Sequence, residues 1–191
     1  VIGTQNVLTT AREAGVKRIV LISTDKSVSP ANTMGATKLL SERLVQSYDF
    51  VMSGMIICGV RFGNVLGSRG SLLPILKKQI RKNRSVQITD TSMTRFFMTI
   101  NQAVNLVLQS AETAKGGEIF VLPMPKIRIL DLIRVVVEEE CAQLDWEPET
   151  VTIKEIGKRS GEQYHEKLLT KDEAERAFFQ NGVVVINPIT E

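Results

Sequence analysis

The run Arg18-Ile19-Val20-Leu21-Ile22-Ser23 is apolar on both faces of an extended chain and breaks off at Thr24-Asp25-Lys26. A strand of that kind needs cover on both sides, which is the situation of a parallel strand inside an α/β sheet. Its carboxyl end is where open α/β sheets bind ligands, and here that end carries a hydroxyl, an acid and an amine. Eight residues after Lys26 comes Met34-Gly35-Ala36-Thr37-Lys38, a small-residue helix start with a second lysine one turn on. Such a lysine points back toward the helix N-terminus. Thr24, Asp25, Lys26 and Lys38 are therefore expected to converge on one cleft.

The rest of the chain keeps alternating. Helical spacing covers Asn6 to Ala14 with Gly15 as its stop, and Lys17 to Ser23 is the strand. Pro30 to Thr33 make a turn, Met34 to Ser47 a helix with an apolar stripe of Leu39, Leu40, Leu44 and Val45, and Met55 to Arg61 a second buried strand. A glycine-rich loop from Phe62 to Ser71 feeds a helix over Ile75 to Arg81. Short strands are expected at Val86 to Ile88, Thr94 to Ile100, Glu118 to Leu122 and Val151 to Ile156. Helices are expected at Asn101 to Ala114 and Leu130 to Cys141, from the charged turn at Lys158 to Glu162 through Leu169, and over Ala174 to Phe179 behind an N-cap at Thr170. The fold class that follows is α/β: residues 1–63 as the C-terminal half of a doubly wound, Rossmann-like parallel sheet, and 64–191 mainly as a smaller α/β lobe with segments returning to the sheet.

Composition narrows the function classes. With 43% hydrophobic and 24% charged residues the chain has the make-up of a folded domain, not of a disordered one. The net charge is only +3, and the one basic cluster, Lys77-Lys78 with Arg81-Lys82-Asn83-Arg84, reads as a solvated helix face, so nucleic acid is not an expected partner. Cys58 and Cys141 have neither metal spacing nor a disulfide framework, which fits reduced, buried thiols in a cytoplasmic protein. The apolar stretch Val51 to Val60 is far shorter than the roughly 20 residues of a membrane-spanning helix. Val1 to Leu8 reads as the middle of a helix, so the chain is expected to be the C-terminal part of a longer polypeptide, with any membrane anchor outside this segment. His165, without metal-ligand partners, and Trp146 are read as surface or packing residues.

The motifs Ile22 to Lys26, Asn32 to Lys38, Arg61 to Ser71, Met93 to Phe96, Gly117 to Val121 and Gly157 to Glu162, in this order, resemble the extended short-chain dehydrogenase/reductases. Within them they are most similar to the UDP-N-acetylglucosamine 4,6-dehydratases of surface-polysaccharide synthesis. Thr-Asp-Lys at 24–26, in place of the Thr-Asp-Glu of dTDP-glucose enzymes, points to that branch. The resemblance implies an NAD- or NADP-dependent lyase acting on a UDP-sugar. Hydride leaves C4 for the cofactor, water is lost across C5 and C6, and hydride returns at C6 to give a 4-keto-6-deoxy sugar nucleotide. It also implies a homo-oligomer.

By the same resemblance Thr24 would hydrogen-bond the C4 oxygen, and Lys38 with Thr24 would face the cofactor. Asp25 would protonate the leaving C6 hydroxyl, and Lys26, as a neutral amine, would take the C5 proton. Met34 stands where the family has its tyrosine base and cannot accept a proton, as in a methionine-bearing branch of these dehydratases. Asn64, Arg69, Arg95, Arg159 and Glu162 would bind the UDP-sugar, Arg159 and Glu162 standing in the place of an Arg-Pro-Gly-Glu turn with Ser160 for proline. The glycine-rich phosphate fingerprint of dinucleotide sites does not occur in this sequence, so these residues alone are expected to bind a UDP-sugar weakly and to turn nothing over. Two alternatives stand beside this reading: a UDP-sugar 4-epimerase, which needs no acid-amine pair after the threonine, and a non-catalytic nucleotide-sugar-binding scaffold, which Met34 favours.

Overall fold

The computed structural model describes residues 1–47 and 54–188. The first seven elements in chain order are α1 (Ile2–Glu13), β1 (Arg18–Thr24), a 3-10 turn (Asp25–Ser27), α2 (Thr33–Ser47), β2 (Ile56–Phe62), β3 (Asn64–Val65) and α3 (Leu72–Asn83). Then come β4 (Ser85–Ile88), β5 (Thr94–Met98), α4 (Ile100–Thr113), β6 (Ile119–Val121), β7 (Lys126–Arg128) and α5 (Ile129–Leu144). A second 3-10 turn (Pro148–Thr150), β8 (Thr152–Glu155), α6 (Lys171–Glu175), β9 (Ala177–Gln180) and β10 (Val183–Ile186) complete the order. The fold is α/β and Rossmann-like. The chain forms two compact units, the first from residues 1–63, 101–123 and 167–191, the second from 64–100 and 124–166.

The first unit holds a five-stranded sheet in the order β1-β2-β6-β10-β9. Strands β1, β2 and β6 are parallel, with Arg18 opposite Ile56 and Thr24 opposite Phe62. The chain passes from β1 to β2 through α2, as parallel neighbours require a crossover. Strand β2 is buried along its middle five residues, as its apolar sequence predicts, whereas β1 lies at the edge of this sheet and is only partly covered, Ile22 being 42% exposed. Leu8 of α1 and Val45 of α2 close over Met55 and Ile57, with Ile19, Leu21 and Leu44 packed around them. The stripe expected on α2 is otherwise displaced: Leu40 is 52% exposed, and the face that enters the core carries Gly35, Ser41, Glu42 and Val45.

Two expectations fail at the C-terminal end. Residues 163–169 form no helix; the chain there is irregular and makes a single bridge between His165 and Thr94. The helix expected over Ala174 to Phe179 stops at Glu175. Ala177–Gln180 then runs as β9 and pairs antiparallel with β10, which in turn pairs antiparallel with β6. Asn181 (φ 50) and Gly182 (φ 82) make the link, both in the left-handed region that a tight two-residue hairpin requires. The Asn-Gly pair between Phe178-Phe179-Gln180 and Val183-Val184-Val185 was the readable signal for it. Thr170 is the expected N-cap, and with Glu173 it forms a full capping box.

The second unit has a three-stranded sheet, β3-β5-β7, and a parallel pair, β4-β8. Strand β7, three residues before α5, has no separate signal in the sequence. Helices α3 and α5 bury Leu76, Ile80, Ile133, Val136, Val137 and Cys141 together, with Trp146 packed against them. The basic cluster is a helix face, but not wholly a solvated one. Lys77 and Arg81 reach the buried Glu140 carboxylate at 2.9 and 2.6 Å, and Arg81 with Lys77 holds that carboxyl below the usual range. Arg84 stacks 4.0 Å from the Trp146 ring centre. Cys58 and Cys141 are buried free thiols, and burial pushes Cys58 up to about 12.

Candidate functional site

Thr24 ends β1 in extended conformation and caps the turn that follows, its hydroxyl accepting from the Lys26 amide at 3.4 Å. That hydroxyl donates to Asp25 Oδ1 at 3.0 Å, and Lys26 Nζ donates to the same oxygen at 3.0 Å. The Asp25 side chain is fully buried while that of Lys26 is 32% exposed. The three expected neighbours are thus one hydrogen-bonded cluster.

Helix α2 brings the next residues to this turn. Asn32 caps it, Oδ1 accepting from Gly35 N at 2.9 Å. Gly35 then lies so close to the turn that a Cβ would stand 2.3 Å from the Lys26 carbonyl oxygen. That neighbour is backbone, so Gly35→Ala is expected to displace the turn and destabilise the protein by about 1–3 kcal/mol, measured as a drop in the denaturation midpoint. Lys38 reaches back as expected, Nζ donating to Ile22 O at 3.0 Å, two residues before Thr24. Met34, in the first turn of α2, is 48% exposed.

The residues expected to bind nucleotide-sugar lie in the second unit, and each is described there. Asn64 Nδ2 donates to Phe96 O at 3.1 Å and to Glu166 Oε2 at 3.3 Å. Arg95 pairs with the other Glu166 oxygen at 3.3 Å and donates to the carbonyls of Thr94 and Tyr164. Glu166, 6% exposed, therefore holds Asn64 and Arg95 together; no sequence signal marked it. Arg159 and Glu162 share one turn, the Arg159 amide donating to Glu162 Oε2 and the Glu162 amide to Arg159 O, both at 3.2 Å. Arg69 and Arg159 are exposed. His165 is exposed and its Nδ1 lies 2.9 Å from Thr94 Oγ1.

A second group that sequence reasoning missed lies in the first unit beneath the turn. Ser27 Oγ is 2.6 Å from Thr24 O and 2.7 Å from Glu42 Oε1. Arg61, wholly buried, donates through Nε and Nη2 to Glu42 and through Nη1 and Nη2 to Glu173. Its remaining N–H goes to Leu168 O at 2.7 Å. All five guanidinium donors are used. Despite burial, the two carboxylates hold Arg61 above its ordinary range, and Arg61 outweighs burial in holding Glu173 below its own.

A family model described as polysaccharide biosynthesis protein matches residues 1–188. An uncharacterized membrane protein of Methanocaldococcus jannaschii is 52% identical over 91% of this chain and 53% of its own length. A UDP-N-acetylglucosamine 4,6-dehydratase (inverting) of Campylobacter jejuni is 36% identical, covering 97% of this chain and 53% of its own. A UDP-glucose 4-epimerase of Rickettsia canadensis is 37% identical over 93% and 50%. The chain thus spans about half the length of these relatives.

Among solved structures, Pen from Bacillus thuringiensis superposes with a TM-score of 0.93 at 43% identity, over 98% of this chain and 57% of that one. The dTDP-glucose 4,6-dehydratase DesIV from Streptomyces venezuelae, solved with NAD and TYD bound, shares the fold at 17% identity and a TM-score of 0.75, over 99% and 60%. Among the described residues no helix is long and apolar enough to cross a membrane. With its family model matched almost from end to end, the chain belongs to the polysaccharide biosynthesis protein family.

Proposed function

We propose that the protein carrying this chain is a nucleotide-sugar 4,6-dehydratase, converting a UDP-N-acetylhexosamine, UDP-N-acetylglucosamine in the first place, to its 4-keto-6-deoxy product. The observation that carries the reading is the Asp25–Lys26 contact at 3.0 Å, made at the end of a parallel strand with Thr24 on the same oxygen. Elimination across C5 and C6 needs a base and an acid at once. Moving one proton from the Lys26 ammonium to Asp25 supplies both: a neutral amine to take the C5 proton and a carboxylic acid to give one to the departing C6 hydroxyl. When water has left, the amine is an ammonium and the acid a carboxylate, which is the starting ion pair. A 4-keto group makes the C5 hydrogen acidic enough for an amine, so the oxidation at C4 comes first, its hydroxyl proton going to Lys38, Asp25 or a bound water in place of Met34; when hydride returns to C6, a proton returns to C5.

A nicotinamide cofactor, NAD or NADP, supplies the hydride acceptor and donor for C4 and C6 when bound. The described residues fit its nicotinamide end: the Lys38 amine, held at Ile22 O, and the Thr24 hydroxyl stand at the carboxyl edge of the parallel strands, where such groups bind. Thr24 serves the C4 oxygen. In the second unit Asn64, Arg69, Arg95, Arg159 and Glu162 are assigned to the UDP-sugar, the arginines to its diphosphate and Glu162 to the uridine ribose hydroxyls.

The epimerase reading has in its favour the relatives named UDP-glucose 4-epimerase, that of Rickettsia canadensis at 37% identity among them. Product mass separates the two. The full-length protein incubated with UDP-N-acetylglucosamine and NAD or NADP is expected to yield a sugar nucleotide lighter by one water. A C4 epimer of unchanged mass would replace the dehydratase by the epimerase.

A further inference from the structure

The acid-amine turn is tied to the core by a buried polar contact at Ser27. Ser27, the last residue of the 3-10 turn, is wholly buried, and its hydroxyl lies within 2.7 Å of both Thr24 O and Glu42 Oε1. One hydroxyl has one proton, so Ser27 links the turn's own backbone to a carboxylate that belongs to α2. Glu42 follows Lys38 by one helical turn, and Lys38 follows Met34 by one. Positions spaced by four lie on one helix face, and this face runs inward from Met34, 48% exposed, to Glu42, 2% exposed.

Glu42 in turn is fixed by two N–H groups of Arg61, at 3.2 and 2.7 Å. Arg61 lies opposite neither solvent nor a single acid. Its other three N–H groups go to Leu168 O and the Glu173 carboxylate, whose Oε2 also accepts from Thr170 N at 2.9 Å. A planar fork held by two carboxylates and a carbonyl has almost no freedom to swing. A rigid polar line therefore runs from the capping box of α6 through β2 and α2 to the carbonyl of Thr24.

We infer that Ser27 and Glu42, anchored by Arg61 and Glu173, are positioning residues: they set where the Thr24 hydroxyl, Asp25 and Lys26 stand without touching substrate. The inference rests on the proposed function for its kinetic consequence. The geometry gives the reason such a device is needed. Asp25 and Lys26 are neighbours on one short turn, and a displacement of about 1 Å at a reacting group costs on the order of 100-fold in rate. Gly35 sets the distance of α2 from the turn, and the Ser27–Glu42 contact sets its rotation and register.

The test uses the full-length protein with Ser27→Ala and, separately, Glu42→Gln, which keeps the shape and removes the charge. Product formation from UDP-N-acetylglucosamine is followed by mass and rate, and amide hydrogen exchange is followed over residues 24–28 and over β2. Both variants are expected to lose about 10- to 100-fold in kcat, with KM changed by less than about twofold. In Ser27→Ala exchange should rise at 24–28, where Val28 N bonds Asp25 O, and stay unchanged in β2, whereas Glu42→Gln, which takes one anion from Arg61, should loosen β2 as well. Unaltered kcat with unaltered exchange would overturn the inference. So would a rate loss in Ser27→Ala matched by equal loss of protection in β2, which marks plain destabilisation. Should the wild type act on no UDP-sugar, the functional reading fails while exchange at 24–28 still decides whether these residues hold the turn.

Discussion

Arg61→Met is expected to lower the free energy of unfolding by about 3–5 kcal/mol, read from denaturant unfolding of the full-length protein, because it strands two buried carboxylates. Glu42 and Glu173, 2% and 3% exposed, would face each other with no cation between them. Loss on that scale is a large share of the roughly 5–15 kcal/mol that keeps a domain folded. Arg61→Lys should rescue only part of it, since an ammonium has three donors and no fork to span two carboxylates and the Leu168 carbonyl. The same network has a pH signature. Glu173 is held below its ordinary value of 4.5, burial opposing and Arg61 prevailing, so it contributes stability that is complete above that value. That contribution is lost as pH falls through the lower, folded-state value. In Arg61→Met the acid limb of the stability curve should flatten or reverse, because protonating a stranded carboxylate then relieves the cost.

The second large effect is kinetic. Lys26→Ala and Asp25→Asn are each expected to reduce dehydration of UDP-N-acetylglucosamine by at least about 100-fold, with little change in sugar-nucleotide affinity. In the proposed mechanism one proton passes between these two groups, which stand 3.0 Å apart, so the double variant should lose hardly more than either single one. Full additivity would mean that acid and base act independently. Unchanged flux in Lys26→Ala would support a non-catalytic scaffold, the reading that the exposed Met34 favours. Product mass and single-turnover rates distinguish these results.

The sequence was most readable where one physical requirement ruled. The run from Arg18 to Ser23 read as a strand of an α/β sheet, Gly15 stopped α1, and Thr170 with Glu173 announced a helix start. Thr24, Asp25 and Lys26 stand together because they are neighbours on a turn, and Lys38 points back because every helical lysine near an N-terminus does. What stayed hidden depended on contacts between distant residues. Glu42 and Glu173 look like surface acids in the sequence, and only the fold brings them to Arg61 from 19 and 112 residues away. Glu166 is equally mute beside His165. The β9-β10 hairpin was legible in Asn181-Gly182, but the capping box upstream favoured extending the helix across Phe178 and Phe179. The structure ends that helix after five residues and turns the two phenylalanines into sheet.

The strand Val183–Ile186 lies between β6 and β9, in the interior of a sheet whose parallel members β1, β2 and β6 are made well before it. During synthesis the ribosome must release almost all of these residues before β6 gains its second neighbour and Arg61 its second acid. Until then the growing chain offers β6 as an open template edge, which is a hazard for pairing with another nascent chain. A chain ending between Val121 and Thr170 would hold this unfinished sheet, with the Glu173 carboxylate missing from Arg61.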